Sequence, residues 1–387
     1  MTIVISIYSL AVGGAQTFVI RLANALSKDH KVFLYIQEPS RTQKELLDRI
    51  SSDVTVVYFS LSRVSEWFSW KINRLISLFV DGFSFQRYLN RQYFSYFLKK
   101  TQPDILNSHM LSSDLIVTDI DHSVPLVLSM HGCYENHLRI DPKFSDRASV
   151  ILSKAKSVVY VAKKNLEIFS LIAPLSQSVP KKLIYYGIED TKEIDGASTL
   201  PTKLIFGMIA RSIPSKGWEQ SLLAFTQLLS NHPGENMEFW VICDESDYLE
   251  DLKLKFAHPS IKYIGFASNP DQFISQMDVC LLPTYFPGES LPNSIIEYLK
   301  AGKPVIASDT AEIPNMLSIG SQIAGMLVPC KDFVEYADVL RCMEMYAQDR
   351  SLIIRHGELA REAFKKFSID DCTRAYVEVF KNAIGRA

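Results

Sequence analysis

Residues 283–307 read PTYFPGESLPNSIIEYLKAGKPVIA, and this stretch decides the fold prediction. It follows an apolar run, so it reads as a strand end, a loop, one helix and the next strand. Gly302 predicts a left-handed stop after a helix over residues 294–301, and Pro304 prevents continuation. Residues 305–307 are then the following strand. Alternation of this kind predicts an α/β protein.

The start of this helix has the features of an anion site. Pro292 fixes its own φ near the helical value and suits a first helical turn, with Asn293 or Ser294 as the cap. Unpaired N–H groups and the positive end of the helix dipole favour a phosphate there. Glu289 in the loop and Glu297 one turn into the helix would repel a phosphate. They are better placed to accept hydrogen bonds from sugar hydroxyls beside it.

The bulk properties limit the class of protein. The chain has 387 residues, enough for two domains, and its formal net charge of −2 gives no general case for nucleic-acid binding. Its six cysteines are scattered without CxxC pairs, which is typical of reduced thiols in a cytosolic protein. Residues 1–10 read as a first strand rather than a signal peptide. Since no run of about 18 uncharged apolar residues occurs, we expect a cytoplasmic protein without a spanning helix.

A strand, a glycine loop, a helix and a second strand open the chain, over residues 3–10, 17–26 and 31–36. This order is the start of a βαβ unit. Gly13 and Gly14 let a backbone approach a ligand at the carboxyl end of the first strand, although a tight strand-to-helix turn explains them equally well. The GxGxxG and Walker GK[ST] spacings are absent, which argues against NAD and P-loop ATP chemistry.

Residues 61–100 hold eleven aromatic and seven basic residues against two acidic ones. A basic, aromatic mixture of this kind fits an interfacial helix that lies on an anionic membrane. The alternative is that the aromatics belong to core helices that cover the sheet, with the basic residues in solvent. Both interpretations stay open at the level of the sequence.

Two histidines stand at predicted strand ends, where open α/β sheets bind ligands. His109 follows residues 105–108, and His131 follows residues 125–130. His131 is the sharper candidate because Gly132 opens space beside it, but a single histidine is more often structural. The DxD spacing of Asp119 and Asp121 has no supporting histidine or third carboxylate, so it predicts a surface acid pair rather than a metal site.

A second βα series begins at residues 203–210, after the polar residues 190–202, which resemble a linker in composition. Arg211 and Lys216 both lie in its first strand-to-helix loop. Arg offers a planar fork and Lys a point charge, so the two cations fit recognition of a diphosphate. Cations that merely face solvent are the alternative. Further predicted strands cover residues 239–243, 261–266 and 279–282, followed by two helices over 333–367 and an amphipathic helix over 370–384.

Taken in order, these motifs resemble the retaining glycosyltransferases of family 4, which have the GT-B fold. The strongest of them is Glu289-x7-Glu297 followed by AGKPVIAS. The others cover most of the chain: Gly13–Gln16, His131–Gly132, Tyr186–Glu189, Arg211, Lys216–Gly217, Gly265–Phe266, Asp278 and Gly325–Pro329 with Asp332.

The resemblance implies an α/β GT-B fold with two Rossmann-like, doubly wound domains that face a central cleft. Residues 1–189 would form the acceptor-binding domain, residues 190–202 the linker, and residues 203–367 the nucleotide-sugar-binding domain. The last helix, within residues 368–387, would cross back to the first domain.

Residue roles also follow from the resemblance alone. Arg211 and Lys216 would neutralise the donor diphosphate, Glu289 would contact the donor sugar, Glu297 the ribose, and His131 would lie near the reacting centre. The implied catalytic residues are His131, Arg211, Lys216 and Glu289. The implied donor-binding residues are Gly13, Gly14, Arg211, Lys216, Phe266, Glu289, Ser290, Leu291, Asn293, Ser294 and Glu297.

The family uses no cofactor and no divalent metal, so the expected partners are a nucleotide-sugar donor, with UDP-sugar favoured over GDP-sugar, and a glycan or lipid-linked acceptor. The chain departs from the family pattern at residues 243–246, where a Gly-x-Gly turn is frequent, and at Pro292–Asn293. Two alternatives remain: a nucleotide-sugar epimerase of the same fold, and a catalytically silent binding subunit.

Overall fold

The computed structural model describes residues 1–11, 13–59, 85–190, 202–267 and 269–385. The chain divides into two compact units, Met1–Gly187 with Ile369–Ala387, and Ile188–Ser368. The predicted linker falls almost entirely on residues 191–201, outside the described residues.

The first unit is built on a seven-stranded parallel sheet with the order β3-β2-β1-β4-β5-β6-β7. Strand β1 is almost wholly buried, as expected for a central parallel strand covered on both faces. The strands are β1 (Thr2–Ile7), β2 (Lys31–Ile36), β3 (Val54–Tyr58), β4 (Ile105–His109), β5 (Leu126–Met130), β6 (Ser157–Tyr160) and β7 (Lys181–Leu183). Strands β6 and β7 correspond to strands that the sequence predicts over residues 157–162 and 182–186, whereas β3 is not among the predicted strands.

Helices cover this sheet. The described helices are α1 (Gly14–Ser27), α2 (Lys44–Leu47), α3 (Phe85–Thr101), α4 (Leu111–Asp119), α5 (Cys133–Ile140), α6 (Phe144–Ser153) and α7 (Pro174–Gln177), with 3-10 turns at Pro39–Arg41 and Lys163–Ser170. Helix α1 begins three residues before its predicted start, so that Gly14 lies inside it.

The second unit has a six-stranded parallel sheet with the order β10-β9-β8-β11-β12-β15, plus a small antiparallel pair. The strands are β8 (Leu204–Ile209), β9 (Met237–Ile242), β10 (Ile261–Tyr263), β11 (Val279–Leu282), β12 (Val305–Ser308), β13 (Ser318–Ile319), β14 (Gln322–Ile323) and β15 (Gly325–Val328). The helices are α8 (Trp218–Asn231), α9 (Asp247–Lys255), α10 (Asp271–Ile274), α11 (Asn293–Lys300), α12 (Ile313–Leu317), α13 (Tyr336–Gln348) and α14 (Ser351–Phe364), with 3-10 turns at Pro214–Lys216 and Lys365–Phe367.

The last helix, α15 (Ile369–Ile384), belongs to the first unit. It packs against α1 and buries Tyr376 and Phe380 there. Gly187, the last residue of the first segment, permits this return, because an added Cβ would lie 2.6 Å from the Cα atom of Ile369. The prediction that the C-terminal helix crosses back is confirmed. The prediction of two Rossmann-like domains is confirmed as well.

Strand order locates the ligand edge of each sheet. In the first unit the order reverses between β1 and β4, and in the second between β8 and β11. Ligands of open parallel sheets bind beyond the carboxyl ends of the strands at such reversals. The loops there include residues 8–11 and Gly13 after β1, residues 210–217 after β8 and residues 283–292 after β11.

The aromatic region is described only from Phe85 onward, because residues 60–84 lie outside the described ranges. On helix α3, Phe94 is fully buried and stacks on Tyr35 at 4.0 Å between ring centroids. Tyr88 and Tyr96 are 49% and 58% exposed on the other side. The core interpretation therefore holds for one face of α3, and an aromatic outer face remains. No described helix is long and apolar enough to cross a membrane.

Candidate functional site

Helix α11 is preceded by a proline N-cap and followed by a glycine in the left-handed conformation. Pro292 is its N-cap, with φ −70° and ψ 122°, and no side chain caps the helix, so the prediction that Asn293 or Ser294 provides the cap was wrong. The reason is that Asn293 already has helical geometry, which moves the start one residue earlier. At the other end Gly302 has φ +65°, as predicted. Its N–H donates to Leu299 O, and that of Lys303 to Tyr298 O, which forms a Schellman motif.

The loop after β8 and the loop after β11 are joined by hydrogen bonds. The carbonyl of Ser215 accepts from the N–H of Tyr285 at 2.8 Å and from the hydroxyl of Thr284 at 3.2 Å. Gly217 lies where the loops touch, with φ +86°, and an added Cβ would stand 2.2 Å from the carbonyl oxygen of Pro283. Only glycine meets both conditions. The two loops therefore form one surface at the carboxyl edge of the sheet.

Lys216 and Glu289, which are 73 residues apart in sequence, form an ion pair on this surface. The Lys216 Nζ to Glu289 Oε2 distance is 2.5 Å, and each side chain is only 9% exposed. The N–H of Glu289 donates to the carbonyl of Phe286 at 3.0 Å, which holds the loop backbone. A buried, charge-assisted hydrogen bond is strong only while both partners remain, because either charge alone would be costly to bury.

Arg211 is exposed, but its backbone is fixed. The indole N–H of Trp218 donates to the carbonyl of Arg211 at 2.9 Å, and the next N–H, that of Ser212, donates to Asp244 Oδ1 at 2.9 Å. The guanidinium carbon lies 5.0 Å from the ring centroid of Phe286, and Lys216 Nζ lies 5.2 Å from the same centroid. The two predicted cations therefore share one aromatic neighbour.

The other predicted residues of this unit follow along the loop and helix α11. Ser290 and Leu291 are buried, whereas Asn293, Ser294 and Glu297 are partly exposed. The carbonyl of Ser290 accepts from the N–H of Glu312 at 3.2 Å, so the loop after β12 supports the same segment. Phe266 follows Gly265, which has φ +83°, and is 65% exposed.

Three residues of this surface were not predicted from the sequence: Phe286, Asp244 and Ser246. Phe286 carries no local signal, since it is one more aromatic residue in a loop. Asp244 and Ser246 stand in the segment noted as a departure from the family pattern. Asp244 accepts from the Ser212 N–H, and the hydroxyl of Ser246 accepts from the Leu249 N–H at 3.1 Å, which caps α9. The departure thus replaces a glycine turn by side-chain hydrogen bonds.

In the first unit, Gly13 is the N-cap of α1 with an extended backbone, at φ 176°. An added Cβ would meet the Oε1 atom of Gln16 at 2.4 Å, the far end of a flexible side chain. Gly14 is the first residue of the helix. The turn interpretation explains both glycines, and their predicted contact with a ligand stays a prediction.

His131 lies in a buried chain of hydrogen bonds within the first unit. Asn107 Nδ2 donates to the Val127 carbonyl at 3.1 Å, so its Oδ1 accepts from His109 Nε2, at 2.7 Å. His109 Nδ1 is then the acceptor for His131 Nε2–H, at 3.0 Å, and His131 Nδ1 accepts from the Tyr186 hydroxyl, at 2.7 Å. The carbonyl of Val127 thus fixes the tautomer of both histidines.

Burial keeps these imidazoles neutral. It lowers the pKa of His131 to about 3, and it lowers the pKa of His109 well below its usual range, with the neighbouring His131 adding to the effect. His131 is 9% exposed and both of its ring nitrogens have partners. The structural interpretation therefore accounts for every polar atom of its ring, and its predicted catalytic role stays a prediction.

Asp119 and Asp121 are both exposed, and Asp119 pairs with Arg91 at 2.9 Å. The prediction of a surface acid pair is confirmed.

Two family models match successive parts of the chain. The model described as Glycosyltransferase Family 4 matches residues 12–170, and the one described as Glycosyl transferases group 1 matches residues 202–343. The O-antigen biosynthesis glycosyltransferase WclY of Escherichia coli is 24% identical over 158 residues, which are 38% of this chain and 41% of that protein. The alignment therefore spans less than half of that relative.

Solved structures share the fold along the whole chain. Anabaena Alr3699/HepE in complex with UDP-glucose has a TM-score of 0.73 at 15% identity, covering 99% of this chain and 100% of that chain. Sucrose-phosphate synthase from Thermosynechococcus elongatus has a TM-score of 0.73 at 14% identity, covering 100% of both chains. Because the two family models together match most of the chain, over residues 12–170 and 202–343, the chain belongs to the family-4 glycosyltransferases, the glycosyl transferases group 1.

Proposed function

We propose that the protein transfers a sugar, with retention of anomeric configuration, from a nucleotide-sugar donor to a hydroxyl of a glycan or lipid-linked saccharide. The observation that carries the proposal is the cluster of Arg211, Lys216 and Glu289 beside the start of α11. It combines two cations with a carboxylate and with backbone N–H groups, at the edge of a parallel sheet where ligands bind. A sugar diphosphate offers a complement to each of these groups.

The charge that develops on the leaving diphosphate is the part of the transition state that this surface stabilises best. Arg211 would bind it through a planar fork and Lys216 as a point charge, while the first N–H groups of α11 add donors. Because Pro292 has no N–H, these donors begin with Asn293. With this much positive charge supplied by the chain, transfer needs no divalent metal, and we expect activity to survive EDTA.

The carboxylates would orient the donor. Glu289 would accept hydrogen bonds from the transferred sugar and Glu297 from the ribose. Retention would follow from attack on the same face that the diphosphate leaves, with the leaving phosphate oxygen taking the proton of the acceptor hydroxyl. The acceptor oxygen forms the new glycosidic bond as the bond to phosphate breaks, so Glu289 is not required as a covalent nucleophile.

Two relatives support the choice of ligands. WclY is named for O-antigen biosynthesis, and Alr3699/HepE is solved with UDP and with UDP-glucose. We therefore favour a UDP-sugar over a GDP-sugar, and a role in synthesis of a cell-surface polysaccharide.

A face of helix α3 supports peripheral contact with the inner face of a membrane. Within residues 61–100, this face exposes Tyr88, Tyr96, Lys99 and Lys100. Salt-sensitive sedimentation with anionic liposomes tests that contact.

Removal of the buried cation tests the proposal. Lys216→Ala should abolish sugar transfer while the chain stays folded, measured as acceptor-dependent release of UDP or GDP. Lys262→Ala is the matched control, since its ammonium lies on the surface 3.9 Å from Glu238, and it should transfer normally. Transfer by Lys216→Ala at close to the wild-type rate would contradict the assignment of the phosphate site.

The same assay separates the alternatives. Donor binding without nucleotide release, with every acceptor extract tried, favours a silent binding subunit. Interconversion of the donor sugar without any acceptor favours an epimerase.

A further inference from the structure

Phe286 occupies a fixed place in the loop between β11 and α11. Its N–H donates to the hydroxyl oxygen of Thr284 at 3.2 Å, and its carbonyl accepts from Glu289 N–H at 3.0 Å. Thr284 in turn donates to Ser215 in the neighbouring loop. The backbone of Phe286 is therefore held by hydrogen bonds on both sides, in a loop that is itself hydrogen-bonded to the loop of the two cations.

Both cations lie against this one ring, with the guanidinium carbon of Arg211 at 5.0 Å from its centroid and Lys216 Nζ at 5.2 Å. Distances below about 6 Å give an attraction between the cation and the negative face of the ring. Two like charges that share a site repel each other. The attraction of each cation to the ring offsets part of this repulsion, and unlike a carboxylate the ring adds no negative charge that would repel a phosphate.

Arg211 depends on the ring more than Lys216 does. Lys216 has Glu289 as its partner, whereas no carboxylate within residues 202–267 or 269–385 stands at ion-pair distance from Arg211. An exposed arginine without a partner samples many rotamers, and a ligand that binds it must order it. A ring that already holds the guanidinium removes part of that entropic cost.

We propose that Phe286 is a positioning residue that holds the cations of Arg211 and Lys216 ready for a diphosphate. The inference rests on the proposed function in one respect, since that function supplies the diphosphate. Phe286 acts through the two cations, because its ring offers no hydrogen-bond donor to a phosphate oxygen.

Isothermal titration of the full chain with UDP, GDP and inorganic pyrophosphate tests the inference. Phe286→Leu keeps an apolar side chain and removes the ring, and it should weaken the binding of UDP or GDP and of pyrophosphate about tenfold. Phe286→Tyr keeps the ring and should bind within about twofold of wild type. Phe256→Leu is the matched control, because it removes a ring that lies 5.4 Å from a surface lysine, Lys255, and it should bind normally.

A second variant separates positioning from packing. In an Arg211→Met chain, the further change Phe286→Leu should reduce the binding affinity by much less than tenfold. The reason is that the guanidinium, the main group that Phe286 positions, is already absent. In turnover assays Phe286→Leu should raise the donor KM and also lower kcat, because the two cations stabilise the charge that develops on the leaving diphosphate. If Phe286→Leu does not fold, Phe286→Met replaces it with the same expectation.

Wild-type affinity in Phe286→Leu overturns the inference and leaves the proposed function intact. A tenfold loss that persists in the Arg211→Met chain assigns the effect to packing and also overturns it. A wild-type chain that binds none of the three probes overturns the proposed function, and this inference with it.

Discussion

At the scale of single residues, the ion pair of Lys216 and Glu289 has a consequence for affinity. In the free protein the carboxylate occupies the ammonium that we assign to the diphosphate, at 2.5 Å. A bound diphosphate must compete with it. Glu289→Gln should therefore bind UDP more tightly, by roughly tenfold, and transfer sugar more slowly, because the sugar loses its carboxylate.

Titration calorimetry with UDP, together with the transfer assay, measures both effects. Glu250→Gln is the control, since it removes a carboxylate from a lysine on the surface, where Glu250 contacts Lys253 at 2.7 Å. Equal or weaker UDP binding by Glu289→Gln would show that the carboxylate does not compete for Lys216.

His131 gives a prediction on acid stability. Burial lowers its pKa to about 3, below the value of about 6.5 in an unfolded chain, so the unfolded state binds the extra proton. The contribution of neutral His131 to the free energy of unfolding is fully present above pH 6.5. It falls as the pH drops, and at pH 5 it is smaller by about 2 kcal/mol. We expect His131→Asn to lose less stability than wild type between pH 7 and pH 5, as measured by urea unfolding. An equal loss in both chains would contradict neutral burial of His131.

For Asp114 we predict the opposite pH dependence of folding stability from that of His131. It is fully buried on α4 and accepts from the Tyr134 hydroxyl at 2.9 Å, and burial raises its pKa to about 8. The folded state therefore holds a proton that the unfolded state releases, and stability is lost as the pH rises from about 4 to about 8.

Asp114→Asn is neutral at every pH, so its stability relative to wild type should increase by about 1.4 kcal/mol for each pH unit across that window. Urea unfolding of both chains at pH 4.5 and pH 8 measures the difference. A constant difference would mean that the Asp114 carboxyl ionises normally in the folded chain.

At the scale of elements, the contact between the two strand-to-helix loops depends on one glycine. Gly217→Ala would place a Cβ 2.2 Å from the carbonyl oxygen of Pro283, at a φ of +86°. Backbone atoms cannot yield as a flexible side chain does, so the loops must separate. We expect a loss of about 2–4 kcal/mol in the free energy of unfolding and a large loss of UDP affinity.

Gly234→Ala is the matched control, because it has a similar φ of +93° and no atom within 4 Å of the added Cβ. Gly234→Ala should lower the free energy of unfolding by only about 1 kcal/mol and leave UDP affinity unchanged. Similar behaviour of the two variants, in unfolding and in UDP titration, would mean that backbone strain alone explains Gly217.

At the scale of the whole molecule, the first unit is made from two distant segments of the chain. Tyr376 of α15 is fully buried, and its hydroxyl lies 3.2 Å from that of Ser129 on β5. Residues 1–187 alone should therefore expose apolar surface and unfold without cooperativity, whereas the same residues joined to 369–387 by a flexible linker should fold. Circular dichroism melting compares the two chains. A cooperative, equally stable transition for residues 1–187 alone would show that α15 is dispensable.

The sequence by itself determined most of the strands and helices and the loops that carry the cluster of Arg211, Lys216 and Glu289. Apolar periodicity, glycine stops and proline positions are local signals, so they identify elements and the carboxyl ends of strands. Helix ends were predicted less well, as at Pro292, because one residue of backbone geometry decides which residue is the cap.

Only the tertiary structure decided which of these groups meet. Lys216 and Glu289 are 73 residues apart, His131 and Tyr186 are 55 apart, and Ser129 and Tyr376 are 247 apart. Such pairs depend on strand order and on how loops pack, and no local pattern encodes either. The same reason explains Phe286, whose part in the cluster follows from the hydrogen bonds between two loops and not from its neighbours in sequence. The stretch at residues 283–307 predicted an anion site, and the tertiary structure places the cations of Arg211 and Lys216 beside it.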